Sequence, residues 1–154
     1  VNCGDRKSVP DSDHVVRYAK PSWVARDGSG RETVAGDVFF YTEPDGASAN
    51  WLECFNPPLD NQLHEVRKRA RITYKTNGRL VRVKVATLKQ SLDAFEGFKG
   101  AVNVLHDPLL ADVQWAEDPS HALIVGVPTG NDPAAELARD FLAQCVLDVW
   151  PAKS

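Results

Sequence analysis

Outside residues 64–89, three histidines of this 154-residue chain have a carboxylate close by in sequence: Asp13-His14, His106-Asp107 and Asp118-Pro119-Ser120-His121. A carboxylate that accepts from one ring nitrogen fixes the tautomer and leaves the other nitrogen as a base or a metal ligand. His14, His106, Asp107, Asp118 and His121 are therefore the candidate catalytic residues, for a small hydrolase or transferase. Convergence of His14, His106 and His121 with Asp107 or Asp118 would make a metal site. No HExxH or paired-cysteine spacing accompanies them, so neither a metal nor a cofactor is expected. The plainer alternative makes His14 and His121 strand openers at a polar sheet edge, with Asp118 closing an Asx-turn onto Ser120 or His121. Walker A and GxSxG motifs are missing, and Gly28-Ser29-Gly30 opens no helix. The reading leans away from an enzyme because no catalytic motif is complete.

The second chemical feature is a basic block. Residues 64–89 hold nine of the eighteen Lys and Arg residues and a single acid, Glu65. The block is thus near +8 in a chain of net charge −3, so the remainder carries −11. Such a segment meets either an outside anion or the chain's own acids. The residues expected to bind a polyanion or partner are Arg67, Lys68, Arg69, Arg71, Lys75, Arg82, Lys84 and Lys89. A polyanion, above all nucleic acid, is the first partner expected, because Arg and Lys neutralise phosphates. Docking an acidic protein surface or a second copy of the chain is the alternative. A pI near 5.8 sits poorly with indiscriminate nucleic-acid binding.

The elements that must position these groups follow from periodicity and turn chemistry. Asn77-Gly78 lies between two β-branched runs, 71–76 and 79–85, and predicts a central hairpin with a type I′ turn. Alternation then puts Ile72, Tyr74, Val81, Val83 and Val85 on a core face, and Arg69, Arg71, Lys75, Arg82 and Lys84 on the other. Arg71 would face Lys84, a like-charge pair that costs stability. Leu59, Leu63 and Val66 recur at helical spacing, while residues 14–19, 101–106 and 121–127 read as strands. Residues 37–42 and 112–116 read as further strands, and Ser48 as the cap of a short helix reaching Phe55. Asp132-Pro133 opens a last helix predicted to run to about Val149, with Leu137, Phe141, Cys145 and Val149 on one stripe. The sum is a single α+β domain over residues 13–154: a mainly antiparallel sheet with a central Asn-Gly hairpin, and a C-terminal helix packed on one face. Residues 1–12 read as a flexible tail.

Composition, 43% hydrophobic and 25% charged, is that of a globular domain. No apolar run approaches a membrane span, so no membrane partner is expected. Cys3, Cys54 and Cys145 are odd in number and widely spaced, which argues against a disulfide scaffold or a zinc ribbon and for a reducing, cytoplasmic setting. Trp51 and Trp115 read as core; Trp23 and Trp150, beside prolines, read as contact residues.

Three phrases resemble a set of small uncharacterised bacterial proteins: residues 14–22 (HVVRYAKPS), Asn50-Trp51-Leu52-Glu53 and residues 118–126 (DPSHALIVG). The resemblance implies a bacterial, cytosolic, single-domain protein and carries no activity.

Overall fold

The computed structural model describes residues 1–4 and 6–153. Its strands are β1 (His14–Ala19), β2 (Val24–Arg26), β3 (Glu32–Val34), β4 (Ala47–Trp51), β5 (Arg79–Lys84), β6 (Asn103–His106), β7 (His121–Val125) and β8 (Asp148–Pro151). Its helices are α1 (Leu59–Arg69), α2 (Val85–Gln90) and α3 (Pro133–Ala143). Six strands form one sheet in the order β6-β7-β4-β1-β5-β8, with every neighbouring pair antiparallel. β2 and β3 make a separate hairpin around the Asx-turn of Asp27, whose Oδ1 accepts from the Ser29 and Arg31 amides at 2.9 and 3.1 Å. The chain is a single α+β domain with a mainly antiparallel sheet and a C-terminal helix.

One sheet face is covered and the other partly so, and alternate strand residues feed two cores. On the first face Val15, Ala47, Ala49, Val81, Val83, Val104, Ala122 and Ile124 pack with Leu88 of α2 and Ala138 and Leu142 of α3. On the second, Val16 and Leu80 pack with Leu63 and Val66 of α1. Leu80 and Val81 are adjacent, face opposite ways, and are both buried. The parity predicted for 79–85 holds, but the face opposite Val81 is half covered by α1.

The Asn-Gly hairpin does not form. Residues 71–76 are not a strand, Asn77 and Gly78 keep negative φ, and no type I′ turn results. β5 pairs instead with β1, from His14↔Lys84 to Ala19↔Arg79, and on its other side with β8. The physical reason is competition for one strand edge. The hairpin would set Arg71 against Lys84, whereas β1 brings Val15, Val16 and Ala19, all 1% exposed or less. Burying two valines contributes about 3 kcal/mol or more. Gly78 is required for another reason: a Cβ there would lie 2.4 Å from the ring of Tyr18.

Six further expectations change. The last helix stops at Ala143, and Ala135, Ala138, Arg139 and Leu142 are its buried positions, while Leu137 and Phe141 are exposed. The chain after it is recruited as β8, where Asp148 meets Arg82. Residues 37–42 hold a 3-10 turn, Gly36–Phe39, and residues 112–116 an Asx-turn on Asp112. Ser48 lies in β4 rather than capping a helix. The described residues of the expected loose tail, 1–4 and 6–12, are anchored: Cys3 and Val9 are buried, Val9 N–H donates to Val104 O at 3.1 Å, and Lys7 O accepts from the His106 amide at 3.1 Å. Cys3 is disulfide-bonded to Cys54, with Cα atoms 4.6 Å apart, so two of the three cysteines are not free. The cysteine count therefore gives no ground for a reducing compartment. Among the described residues no helix is long and apolar enough to cross a membrane.

Candidate functional site

The second sheet face is only partly covered by α1, and the rest opens into a cleft. Strand alternation sends Tyr18 of β1, Ser48 and Asn50 of β4, and His121 of β7 to this face, because their neighbours Ala19, Ala49 and Ala122 belong to the first core. These four side chains, with Trp23, Arg71, Tyr74, Leu109 and Asp118, line a cavity of about 440 Å³.

Its roof is held by the basic block. The Arg71 guanidinium donates from Nη2 to the carbonyls of Leu110 and Ala116 at 2.7 and 2.9 Å and lies 3.8 Å from Asp112. Arg69 pairs with Glu65 one helical turn back and donates to Glu117 O at 3.0 Å. Together they staple the end of α1 and the segment after it to the 109–118 loop. Tyr74 stacks on Tyr18 with ring centroids 4.9 Å apart, and the Tyr18 hydroxyl accepts from the Lys75 amide at 3.1 Å. Burial, with the Asp118 charge adding to it, pushes the Tyr74 phenol up to about 12.

The floor is a polar network. Asp118 is 3% exposed, and its carboxylate accepts from Asn50 Nδ2 at 2.8 Å, Ser120 Oγ at 2.7 Å and the Ser120 amide at 3.1 Å. This is the expected Asx-turn, extended to a neighbouring strand. A carboxylate this buried persists because each oxygen has donors.

Beside it the structure brings Asp107 and His121 together. β6 and β7 pair through His106↔Ala122, and the Asp107 amide donates to His121 O at 2.9 Å, which makes Asp107 and His121 cross-strand neighbours. His121 Nδ1 faces two acceptors, Asp107 O at 2.9 Å and Asp107 Oδ2 at 3.0 Å. Nδ1 must therefore carry the proton, and Nε2 presents its lone pair. Nε2 lies 3.3 Å from Ser48 Oγ, a diagonal neighbour two residue pairs along the β4–β7 ladder. Ser48 is held by a buried cation. Arg17 donates from Nη1 to Ser48 O at 2.6 Å, and also to Val38 O and Phe40 O. Burial pulls the Arg17 guanidinium down to about 10, so it stays charged at neutral pH.

The other histidines lie elsewhere. His14 Nδ1 is 2.5 Å from Glu53 Oε1, at the far end of β1. His106 is buried edge-on to Trp51, with Nε2 on Pro119 O at 2.8 Å and Nδ1 toward the Arg6 amide. His14, His106 and His121 thus do not share a site, and no group of three His, Cys, Asp or Glu among the described residues could hold a metal. Arg17 and Tyr18 point to opposite faces of β1.

The eight basic residues are also divided. Arg69, Arg71, Arg82 and Lys89 are paired with Glu65, Asp112, Asp148 and Asp11. Arg67 donates to Ala152 O and Pro151 O at 3.0 and 2.7 Å. Lys68, Lys75 and Lys84 are exposed, on α1, the loop after it and β5. A larger groove of about 590 Å³ between β3 and β8 contains Glu32 and Asp148, whose charges are taken by Arg79 and Arg82.

Sequence reasoning singles out Asp107, Asp118 and His121, and Tyr18 as a stacking residue, but not Ser48 and Asn50, whose place depends on which strands pair. The local signal at Ser48 fits a helix cap, whereas the residue lies in β4. Comparison of the chain with protein-family models, with curated proteins and with solved structures finds no match.

Proposed function

We propose that the cleft on the second sheet face binds a small molecule that combines a planar apolar ring with an anionic or carbonyl group. The observation that carries this reading is the lining. Tyr18, Tyr74, Trp23 and Leu80 supply apolar and aromatic walls, while Ser48, Asn50, His121 and Arg71 converge on the same space. Small-ligand sites combine apolar walls with a few placed polar groups in this way. The charges around the cleft are Arg17, Lys20 and Arg71 against Glu43 and Asp118. Three cations against two carboxylates favour an acidic or ester group over an amine. Lys20, with its ammonium 4.7 Å from the Trp23 ring centre, stands at the mouth.

Saturation-transfer NMR with benzoate and with benzylamine tests this. Benzoate is expected to bind on the order of millimolar, the range set by its few heavy atoms. Lys20→Glu and Tyr18→Ala should each weaken it, and benzylamine should give no transfer. Equal transfer from both probes, or benzoate binding untouched by both variants, would remove the reading.

Polyanion binding by the basic block is a second proposal, and the exposed Lys68, Lys75 and Lys84 favour it. It calls for salt-dependent binding of short DNA or RNA that weakens in a Lys68→Glu/Lys75→Glu/Lys84→Glu variant. It is the weaker reading because four of the eight basic residues are already ion-paired.

A further inference from the structure

We infer that Ser48, His121 and Asp107 form a nucleophile relay that hydrolyses a small ester bound in this cleft. The inference rests on the cleft being a small-molecule site and adds a reaction to it. Three observations converge. The two acceptors at Nδ1 leave one tautomer of His121, with the basic Nε2 turned to Ser48 Oγ at 3.3 Å. A nucleophile, a base and a group that orients the base make the arrangement that activates a hydroxyl, and such bonds are commonly long before substrate arrives. Ser48 is exposed and lines the cavity together with His121, so a carbonyl carbon can reach its Oγ. The Ser48 backbone is pinned from behind by Arg17, so Oγ is not carried on a loose loop.

The chemistry balances with water alone. Ser48 Oγ attacks the ester carbonyl carbon, forming a C–O bond as its proton passes to His121 Nε2. The tetrahedral adduct collapses, the ester C–O bond breaks, and the leaving alcohol takes the proton from Nε2. Water then attacks the acyl-Ser48 carbonyl, giving a proton to Nε2. Release of the acid returns that proton to Ser48 Oγ. Asp107 keeps its charge throughout and steadies the imidazolium, which makes it a positioning residue. The aromatic walls and the cations at Lys20 and Arg71 suit an ester of a small aromatic acid, whose product is the benzoate-like anion of the binding reading.

The test uses the full chain, an aryl fluorophosphonate followed by intact mass, and 4-nitrophenyl benzoate turnover. One adduct is expected, with fluoride lost and a P–O bond formed at Ser48. Ser48→Ala should take none, and His121→Gln should label at least about 100-fold more slowly. Asp107→Asn should slow turnover by about 10–1,000-fold and alter its pH profile, because an amide can turn its NH₂ toward Nδ1 and favour the wrong tautomer. A role for Asp107 in packing alone would leave the pH profile unmoved. Ser48 is exposed, so Ser48→Ala should melt with the parent. Retained benzoate binding with no adduct and no turnover in the parent overturns the relay and leaves the binding site standing. An adduct that survives Ser48→Ala also overturns the relay, and loss of both binding and labelling in the parent overturns both readings.

Discussion

Removing the Cys3–Cys54 bond should destabilise the protein by about 4 kcal/mol. The bond joins residues 51 apart in sequence. In the chain-entropy treatment of disulfides, a loop of that length removes about 14 cal/mol/K from the unfolded ensemble, which is about 4 kcal/mol at 25 °C. The native state has further reason to need it. The segment it anchors lies outside β6, held by the Val9–Val104 and Lys7–His106 hydrogen bonds and a bridge between Ser8 and Leu105. Loosening it exposes Cys3 and Val9, at 1% and 2% in the fold, and uncovers the edge that carries Asp107. The assay is urea unfolding of the oxidised protein, the reduced protein and a Cys3→Ala/Cys54→Ala variant. With a urea dependence of about 2 kcal/mol/M, the midpoint should fall by about 2 M in both perturbed forms. Thiol titration in denaturant should find one free thiol, Cys145, before reduction and three after it. Three reactive thiols without reductant, or a midpoint that moves by less than about 0.5 M, would refute the reasoning.

Gly126→Ala should cost about 3 kcal/mol or more and lower Tm by about 6–12 °C, because φ is +77° and a Cβ would stand 1.7 Å from Ala101 O. Gly97→Ala is the control: its φ is +87° but nothing lies within 4 Å, so only about 1–2 kcal/mol of backbone strain is expected, read in the same melt. Tyr74 should ionise only near pH 12 in the folded protein, and ultraviolet titration of an Asp118→Asn variant should find it lower, since one of the charges opposing the phenolate is gone. The raised value means that Tyr74 contributes stability below pH 10 that is lost as pH rises from about 10 to about 12, a loss of about 2–3 kcal/mol read from urea midpoints across that window. Arg139→Met should cost about 2–4 kcal/mol in urea unfolding, because the 5%-exposed guanidinium donates to Pro128 O and Gly130 O at 2.7 and 2.9 Å and its loss strands both carbonyls.

What this sequence determined by itself is local. Leu59, Leu63 and Val66 lie on the packed side of α1, the alternation through residues 79–84 sorts Leu80 from Val81, Asp132-Pro133 begins α3, and Asp118 closes onto Ser120. Each follows from backbone period or from a side chain reaching an amide two or three residues away, and none needs a distant partner. Tertiary structure alone decided who stands beside whom. β5 could pair with residues 71–76 across a turn or with β1 from sixty residues earlier, and the burial of Val15 and Val16 settled it. That choice left the basic block no hairpin face to occupy, and Arg69 and Arg71 became staples over the cleft. It also set β1 beside β4, whose other edge pairs with β7, and so turned Ser48 toward His121 and Asp107. Chemistry of this kind is assembled from residues 48, 107 and 121. Their proximity is a property of strand order, which emerges only when distant segments compete to bury the same apolar surface.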